Sequence, residues 1–232
     1  MRLAHHLVAS LLIGGGMLCG LAGAAMAQDT GSLVRPEPAQ LGEKAGQVAA
    51  RKTMAAYAIC LLKRNRGGVM FYLGTFPGSA EATKRAARMS VSDCIDNGTL
   101  QFSESAFRGA AYQALYRQEF AFKSVDSVAD RASPDYTAGS DGTQEKDLQA
   151  IGLRQFSDCV VRANPATVHT LAVSVVGSGQ ENTAFGTLAP NLSACLPKGQ
   201  TLAFSRNILR NALVEVLYRL RVSDPLSKQG QN

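Results

Sequence analysis

Histidine is scarce in this 232-residue chain, which has three in all. His5 and His6 stand near the start of the chain, and His169 is the only other histidine. Because an imidazole is the usual proton carrier near neutral pH, a Ser-His-Asp or Cys-His device in the later chain would need His169. Ser174 and Ser178 follow it, yet neither lies in a G-x-S-x-G setting. We therefore interpret His169 as a structural residue and assign no catalytic residue.

Carboxylates offer a second kind of chemistry, since two acids held several ångströms apart around a cleft can cleave a glycosidic bond. Asp158, Glu181 and Glu215 are available by residue type. Their spacing along the chain does not indicate that any two of them converge. Hydrolysis is consequently the alternative function and not the main prediction.

Basic residues are concentrated in one stretch of the chain. Segment 63–88 has six cationic residues against Glu81 alone, which gives it a net charge of +5. A one-sided basic surface attracts anionic polymers, anionic lipid headgroups or acidic proteins, and such a run is also typical of an ordinary solvated face. The candidate anion-binding residues are Lys63, Arg64, Arg66, Lys84, Arg85 and Arg88.

Two parts of the chain resemble each other. Residues 60–65 (CLLKRN) return as 159–164 (CVVRAN), at an offset of 99 residues. Further along, 115–117 (LYR) returns as 217–219 (LYR), at an offset of 102 residues. A match at this spacing predicts duplication of a supersecondary unit. The basic stretch is not shared, because its counterpart, 162–189, is neutral.

The first 27 residues have the pattern of a secretory signal peptide. Arg2 precedes a long apolar run, and Ala25 and Ala27 supply the small residues that a cleavage site requires. We predict export to the periplasm or the extracellular space, with the signal peptide removed. An uncleaved membrane anchor is the alternative, because about 20 apolar residues can just span a bilayer.

Cleavage would remove Cys19 and leave four cysteines in a compartment that permits oxidation. Four cysteines allow three pairings. A unit that was copied whole carries its own bridge, so the repeat predicts Cys60 with Cys94 and Cys159 with Cys195. Zinc binding is less favoured, because the sequence has no C-x-x-C pair. No metal and no cofactor are predicted.

Proline, glycine and polar residues divide the chain into segments. A polar stretch with Pro36 and Pro38 precedes the first copy, and a stretch rich in Ser, Asp, Gly and Thr separates the two copies. The predicted segments are a signal peptide at 1–27, a flexible leader at 28–44, a first helical lobe at 45–122, a linker at 123–146, a second lobe at 147–222 and a flexible tail at 223–232.

Apolar residues recur at helical spacing within each predicted lobe. In the second lobe, 208–220 has one apolar stripe, and Ser205 is a suitable N-cap for that helix. Ser103 is the corresponding cap in the first lobe. Asn164 followed by Pro165 is typical of another helix start.

Ser178 followed by Glu181 fits a capping box at the start of a further helix. Only 99–102 and 201–204 alternate like strands. The sequence therefore predicts a mainly α-helical protein with two tandem duplicated lobes of about four helices each. The lobes are expected to be related by pseudo-twofold symmetry, with at most a very short β bridge.

These patterns favour an exported, disulfide-stabilised, non-enzymatic binding or structural module. The basic stretch of the first lobe is its candidate contact face, and the candidate partner is an anionic envelope polymer, a lipid headgroup or an acidic protein. Nucleic acid fits the charge but not an exported location. No transmembrane segment is expected after signal cleavage. The alternative is an exported hydrolase with its site in the groove between the lobes.

Overall fold

The structure is a computed structural model that describes residues 45–89, 92–95, 103–125, 128–196 and 205–222. Within these ranges it contains seven α-helices and one short 3-10 helix, so the prediction of a mainly α-helical protein is confirmed. The helices are α1 (Ala45–Leu73), α2 (Ala80–Met89), the 3-10 helix (Ser92–Cys94), α3 (Glu104–Phe120), α4 (Glu145–Ala163), α5 (Pro165–Val173), α6 (Gly179–Ala194) and α7 (Arg206–Val222).

Some predicted segments lie outside the described residues. These are the two strand-like segments, 99–102 and 201–204, together with the predicted signal peptide, leader and tail. The described ranges themselves contain no strand. Among their helices, none combines the length and the apolar character that crossing a bilayer requires.

Polar side chains cap three helices at the predicted places. Ser103 at α3 and Ser205 at α7 each accept a hydrogen bond from the backbone N–H three residues on, both at 3.3 Å. Asn164 accepts one in the same way at 3.2 Å, and Pro165 is the first residue of α5. These three helix starts therefore follow from local sequence.

A break in the middle of α1 has no clear sequence signal. Asn65 has φ −144° and ψ 59°, which are not helical, and Asn164 has similar angles of −151° and 67°. The Asn65 side-chain oxygen accepts a hydrogen bond from Gly68 N–H at 2.9 Å, as an N-cap does. No proline follows Asn65 to mark the break, in contrast to Asn164. At the offset of 99 residues found in the sequence, the parts of α1 before and after Asn65 align with α4 and α5.

Both disulfides join the predicted partners. Cys60 on α1 is bonded to Cys94 in the 3-10 helix, and their Cα atoms are 5.7 Å apart. Cys159 on α4 is bonded to Cys195 at the end of α6, with a Cα separation of 5.8 Å. The bridged residues are 34 and 36 positions apart, and bridges over such loops stabilise the fold by about 4 kcal/mol.

One hydrophobic core includes side chains from the N-terminal half (45–122) and the C-terminal half (147–222). α3 packs against α1 and α7, and α7 also packs against α4 and α5. α3 and α7 approach closely at Gly109, where an added Cβ would lie 2.0 Å from the Asn211 Cγ atom. These two helices are therefore the main connection between the halves.

The connecting segment (123–146) is anchored beside α4. Tyr136 is buried, and its hydroxyl donates a hydrogen bond to Asp158 at 2.6 Å. Arg162 donates to the carbonyl oxygens of Ala129 and Arg131, both at 2.7 Å. These contacts bring the segment next to the ends of α1 and α7, where the larger of the two cavities described below is formed.

Candidate functional site

The six predicted anion-binding residues lie on α1 and α2, and three of them are paired with acids. We refer to the six residues as the basic face. The pairs are Arg64 with Asp93, Arg66 with Glu119, and Arg85 with Glu81. Solvent-exposed pairs of this kind contribute little to stability, but they neutralise charge.

The charge of the basic face is consequently smaller than the sequence suggests. Asp93 and Glu119 lie outside the segment 63–88, and including both lowers its net charge from +5 to +3. Lys63, Lys84 and Arg88 are exposed, and no hydrogen bond or ion pair joins them to another described residue. These three cations are the part of the basic face that remains available to an anionic partner.

A small cavity of about 370 Å³ lies between α1 and α2. Arg85 and Arg88 border it together with Phe71, whose side chain is 42% exposed. The Arg85 guanidinium lies 5.4 Å from the centre of the Phe71 ring, at cation-π distance. Arg85 and Arg88 are therefore brought together, whereas Arg64 and Arg66 point to acids elsewhere.

A larger cavity, of about 710 Å³, lies where both halves meet the connecting segment. Leu73, Phe76, Tyr136 and Leu220 form much of its apolar wall. Its four arginines come from four different parts of the chain, and they are Arg108 on α3, Arg131 in the connecting segment, Arg154 on α4 and Arg219 on α7. We refer to this space as the large cavity.

A buried carboxylate lies among three of these arginines. Glu215 is 2.9 Å from Arg154, 3.7 Å from Arg219 and 4.0 Å from Arg108, measured between charged oxygen and nitrogen atoms. Burial raises the pKa of the Glu215 carboxyl, but the charges of Arg154, Arg108 and Arg219 outweigh burial and hold it below its usual value. Glu215 is therefore ionised near neutral pH, with three cations around it.

Arg108 is held by the last residue of α1 and by the turn that follows it. Its Nη2 donates hydrogen bonds to the carbonyl oxygens of Leu73, at 2.7 Å, and of Thr75. Its Nε and Nη1 are buried and find no hydrogen-bond acceptor among the described residues. The nearest carboxylate oxygens lie 3.6 Å away on Glu104 and 4.0 Å away on Glu215. Arg108 thus has more N–H donors than its neighbours among the described residues accept.

Glu181 is the centre of a second buried ionic cluster. It pairs with Arg210 and Arg51 and accepts a hydrogen bond from Gly177 N–H. Burial raises the pKa of the Glu181 carboxyl, but Arg210, the Gly177 N–H and Arg51 together hold it below its usual value. The carboxylate does not reach back to its own N-cap, as a full capping box requires, because it bonds Gly177 and the arginines instead.

The acids considered for catalysis are occupied by basic partners. Asp158 pairs with Arg162 and accepts the Tyr136 hydrogen bond. A general acid that acts near neutral pH needs a raised pKa, and the pKa values of Glu181 and Glu215 are shifted the other way. The structure therefore offers no support for a paired-acid mechanism on these residues.

His169 lies on α5 with a phenol as its neighbour. Its Nδ1 is 2.7 Å from the Tyr116 hydroxyl. Burial lowers the pKa of His169, and the charge of Arg221 lowers it further. Burial raises the pKa of Tyr116 to about 12, so the phenol remains protonated and can donate to a neutral imidazole. His169 does not border the large cavity, and this supports the structural interpretation.

Comparisons with protein-family models, with curated proteins and with solved structures found no match. The interpretation of the basic face and of the large cavity therefore depends on the geometry of this chain alone.

Proposed function

We propose that the protein is an exported, non-enzymatic binding module that contacts an anionic partner through its basic face. The observation that carries the proposal is the group of three exposed cations, Lys63, Lys84 and Arg88, on neighbouring helices. The exposed ring of Phe71 adds an apolar contact beside them. An anionic envelope polymer or a surface of anionic lipid headgroups matches the three cations, because either presents repeated negative charges that are accessible to the protein.

Export is supported by two independent features. The first 27 residues have the three-part pattern of a secretory signal peptide. Two disulfides close within the described chain, and disulfides persist in oxidising compartments such as the periplasm and the extracellular space. Both features fit a protein that works outside the cytoplasm.

We further propose that the two halves, 45–122 and 147–222, are duplicated lobes related by a pseudo-twofold axis, with 123–146 as their linker. The similar backbone angles of Asn65 and Asn164 support this proposal. So do Gly78 and Gly177, which stand 99 residues apart and have φ values of 71° and 74°.

A repeated arginine adds to the support for duplication. Arg108 donates a hydrogen bond to the Thr75 carbonyl, and Arg210 donates one to the Ser174 carbonyl at 2.8 Å. The arginines are 102 residues apart and the carbonyls are 99 residues apart, which are the offsets of the sequence repeat.

The alternative, an exported hydrolase, is less favoured by the geometry. A hydrolytic site needs a poised base or acid beside a cleft. The large cavity lies between the halves, as that alternative requires, but its charged wall consists mainly of arginines. The large cavity does not unite His169 with a carboxylate pair.

The test of the basic face is charge reversal at its three unpaired cations, by Lys63→Glu, Lys84→Glu and Arg88→Glu together. A basic residue near an anionic membrane contributes about 1 kcal/mol, so this variant should bind vesicles containing phosphatidylglycerol at least about 100-fold more weakly. Binding is measured by co-sedimentation, and retention on a dextran sulfate resin in a salt gradient gives the same comparison for a polymer.

The matched control reverses three other exposed lysines, by Lys52→Glu, Lys123→Glu and Lys146→Glu, and so has the same net charge. It should lose much less affinity than the basic-face variant, since its changes lie outside the segment 63–88. Equal losses in the two variants would show that only net charge matters and would refute a specific contact face. Circular dichroism of both variants verifies that they are folded.

A further inference from the structure

The large cavity has the size of a ligand site. Pockets that bind small organic molecules have volumes of about 300–1,000 Å³, and the large cavity has about 710 Å³. It is formed by elements from both halves of the chain and by the connecting segment. The charges and the apolar groups of its wall indicate which class of molecule it accepts.

Glu215 already occupies the place that an anionic head group would take. Its carboxylate lies among Arg108, Arg154 and Arg219, and the nearest of their nitrogen atoms is that of Arg154 at 2.9 Å. A second carboxylate at the same arginines would be repelled by Glu215, which is ionised near neutral pH. The arginines are thus satisfied in charge from within the protein, and the cavity does not favour an anion.

A cation is not favoured either, because arginines form the charged part of the wall. Two of them are directed to main-chain carbonyl oxygens at the rim. Arg219 donates a hydrogen bond to the Asp135 carbonyl at 3.1 Å, and Arg131 donates one to the Arg221 carbonyl at 3.2 Å. A positively charged ligand would be repelled by these guanidinium groups. The electrostatics of the wall therefore favour an uncharged ligand.

Arg154 retains hydrogen-bond donors for such a ligand. Its Nε donates to Glu215 at 2.9 Å, and its side chain is only 5% exposed. Its Nη1 and Nη2 form no hydrogen bond with another described residue, and Arg154 borders the large cavity. A donor that is shielded from water is costly to leave unpaired, and an oxygen atom of a bound ligand would accept its hydrogen bond.

Aromatic side chains stand beside these donors. The Arg154 guanidinium lies 5.3 Å from the centre of the Phe76 ring, and the Arg219 guanidinium lies 5.2 Å from the centre of the Tyr136 ring. Both rings are buried and border the large cavity. Because each ring is held against a guanidinium, polar donors and apolar surface are preorganised side by side.

We infer that the large cavity binds a small uncharged organic molecule with an apolar body and a carbonyl oxygen. The oxygen accepts a hydrogen bond from Arg154, and the body packs against Phe76 and Tyr136. Esters, ketones and amides of apolar molecules have this combination of groups. An aromatic body suits the two rings of the wall, since offset or edge-to-face rings attract each other.

This ligand site is separate from the basic face. The large cavity is bordered by the end of α1, by α3, α4 and α7 and by the connecting segment, whereas the basic face consists of residues between Lys63 and Arg88. Either proposal can therefore fail without the other.

The test is equilibrium dialysis of the intact, oxidised protein with three naphthalene probes. Methyl 2-naphthoate is uncharged and has a carbonyl oxygen, 2-naphthoate has the same ring with a negative charge, and 2-ethylnaphthalene has neither carbonyl nor charge. The methyl ester should bind at least about tenfold more tightly than 2-naphthoate, because Glu215 repels the carboxylate. An ester that did not bind, or a carboxylate that bound as tightly as the ester, would overturn the inference.

The Arg154→Lys variant tests the contact with the carbonyl oxygen. Lysine keeps a positive charge beside Glu215 but lacks the second terminal nitrogen of the guanidinium. It should weaken binding of the methyl ester by about tenfold and leave binding of 2-ethylnaphthalene unchanged. Equal losses for the two probes, or no loss for the ester, would refute recognition of the carbonyl by Arg154.

Two further variants locate the binding. Ala138→Trp places a large side chain at a small, exposed residue of the cavity wall and should abolish binding of the methyl ester. Ala129→Trp makes the same change at an exposed residue of the connecting segment that does not border the cavity, and it should leave binding unchanged. Unchanged binding in Ala138→Trp, or equal loss in both, would show that the ester binds elsewhere.

Discussion

Replacing Arg210 with methionine tests the buried ionic cluster around Glu181. The Arg210 side chain is 2% exposed and donates to the Ser174 carbonyl at 2.8 Å and to the Ser174 hydroxyl at 3.3 Å. It also pairs directly with Glu181, which is equally buried. Methionine keeps much of the volume of the side chain and removes its charge, so the variant isolates the electrostatic contribution.

The magnitude follows from what the substitution leaves behind. Removing one partner of a buried ion pair costs about 3–5 kcal/mol, because the other charge remains buried. Arg51 still contacts Glu181, and Gln113 still donates to the Ser174 carbonyl at 3.3 Å. These remaining contacts place the expected loss at the lower end, about 3 kcal/mol of the free energy of unfolding.

The assay is urea denaturation of the oxidised protein at neutral pH. With a slope of about 1–3 kcal/mol per molar urea, the midpoint should fall by about 1–3 M. Arg117→Met is the control, because Arg117 is exposed on α3 and its loss should change stability by less than about 0.5 kcal/mol. A loss below about 1 kcal/mol in Arg210→Met would refute the reasoning.

Acid titration gives a second readout of the same cluster. The folded-state pKa of Glu181 is below its usual value, so its contribution is present above the usual value and is lost as pH falls through the folded value. In Arg210→Met the main cause of that depression is gone, so the loss of stability on acidification should be smaller than in the wild type. An unchanged acid profile would contradict the assignment.

Removing the second disulfide by Cys159→Ala with Cys195→Ala should lower the free energy of unfolding by about 4 kcal/mol in urea denaturation, and a loss under about 1 kcal/mol would contradict the loop-entropy argument. Lowering pH from about 7 to about 5 should reduce the melting temperature, because the depressed pKa of His169 means that the unfolded chain takes up a proton first. His169→Gln should remove that part of the decrease, and an identical profile would show that His169 is not its source. Gly177→Ala should destabilise the protein by about 2 kcal/mol, since φ is 74° and the new Cβ would lie 2.4 Å from a valine methyl. Gly152→Ala is the control at an open position of α4, and it should stabilise the protein by about 1 kcal/mol. If the two variants shifted the melting temperature equally, the backbone conformation of Gly177 would be excluded as the cause of its effect.

Local features of the fold and the pairing of the cysteines could be predicted from the sequence. The helix starts at Ser103, Ser205 and Asn164 depend on a side chain and a backbone N–H only three residues away. The cysteine pairing was predicted from the resemblance between two parts of the sequence, because a unit copied whole would contain both members of its bridge. The break at Asn65 was missed, since the same capping bond forms there without the proline that marks Asn164.

The electrostatics of the site could not be predicted, because they depend on residues distant in sequence. Arg66 pairs with Glu119, which lies 53 positions further along the chain, so a count of charges within one segment overstates the charge available there. Arg154, which borders the large cavity, pairs with Glu215, which lies 61 positions further along the chain. A single sequence contains no periodicity that relates such positions, and only the packing of α3, α4 and α7 brings them together.

Each disulfide lies within one half of the chain, so the first half can be cross-linked before the second half has folded against it. A chain that enters an oxidising compartment from its N-terminus can close the Cys60–Cys94 link before α7 has entered. The surface of α3 near Gly109 nevertheless receives its partner only when the last helix arrives. The nascent N-terminal half would thus be cross-linked early but would still expose apolar surface, and a chain truncated before α7 would be oxidised, incomplete and prone to aggregation.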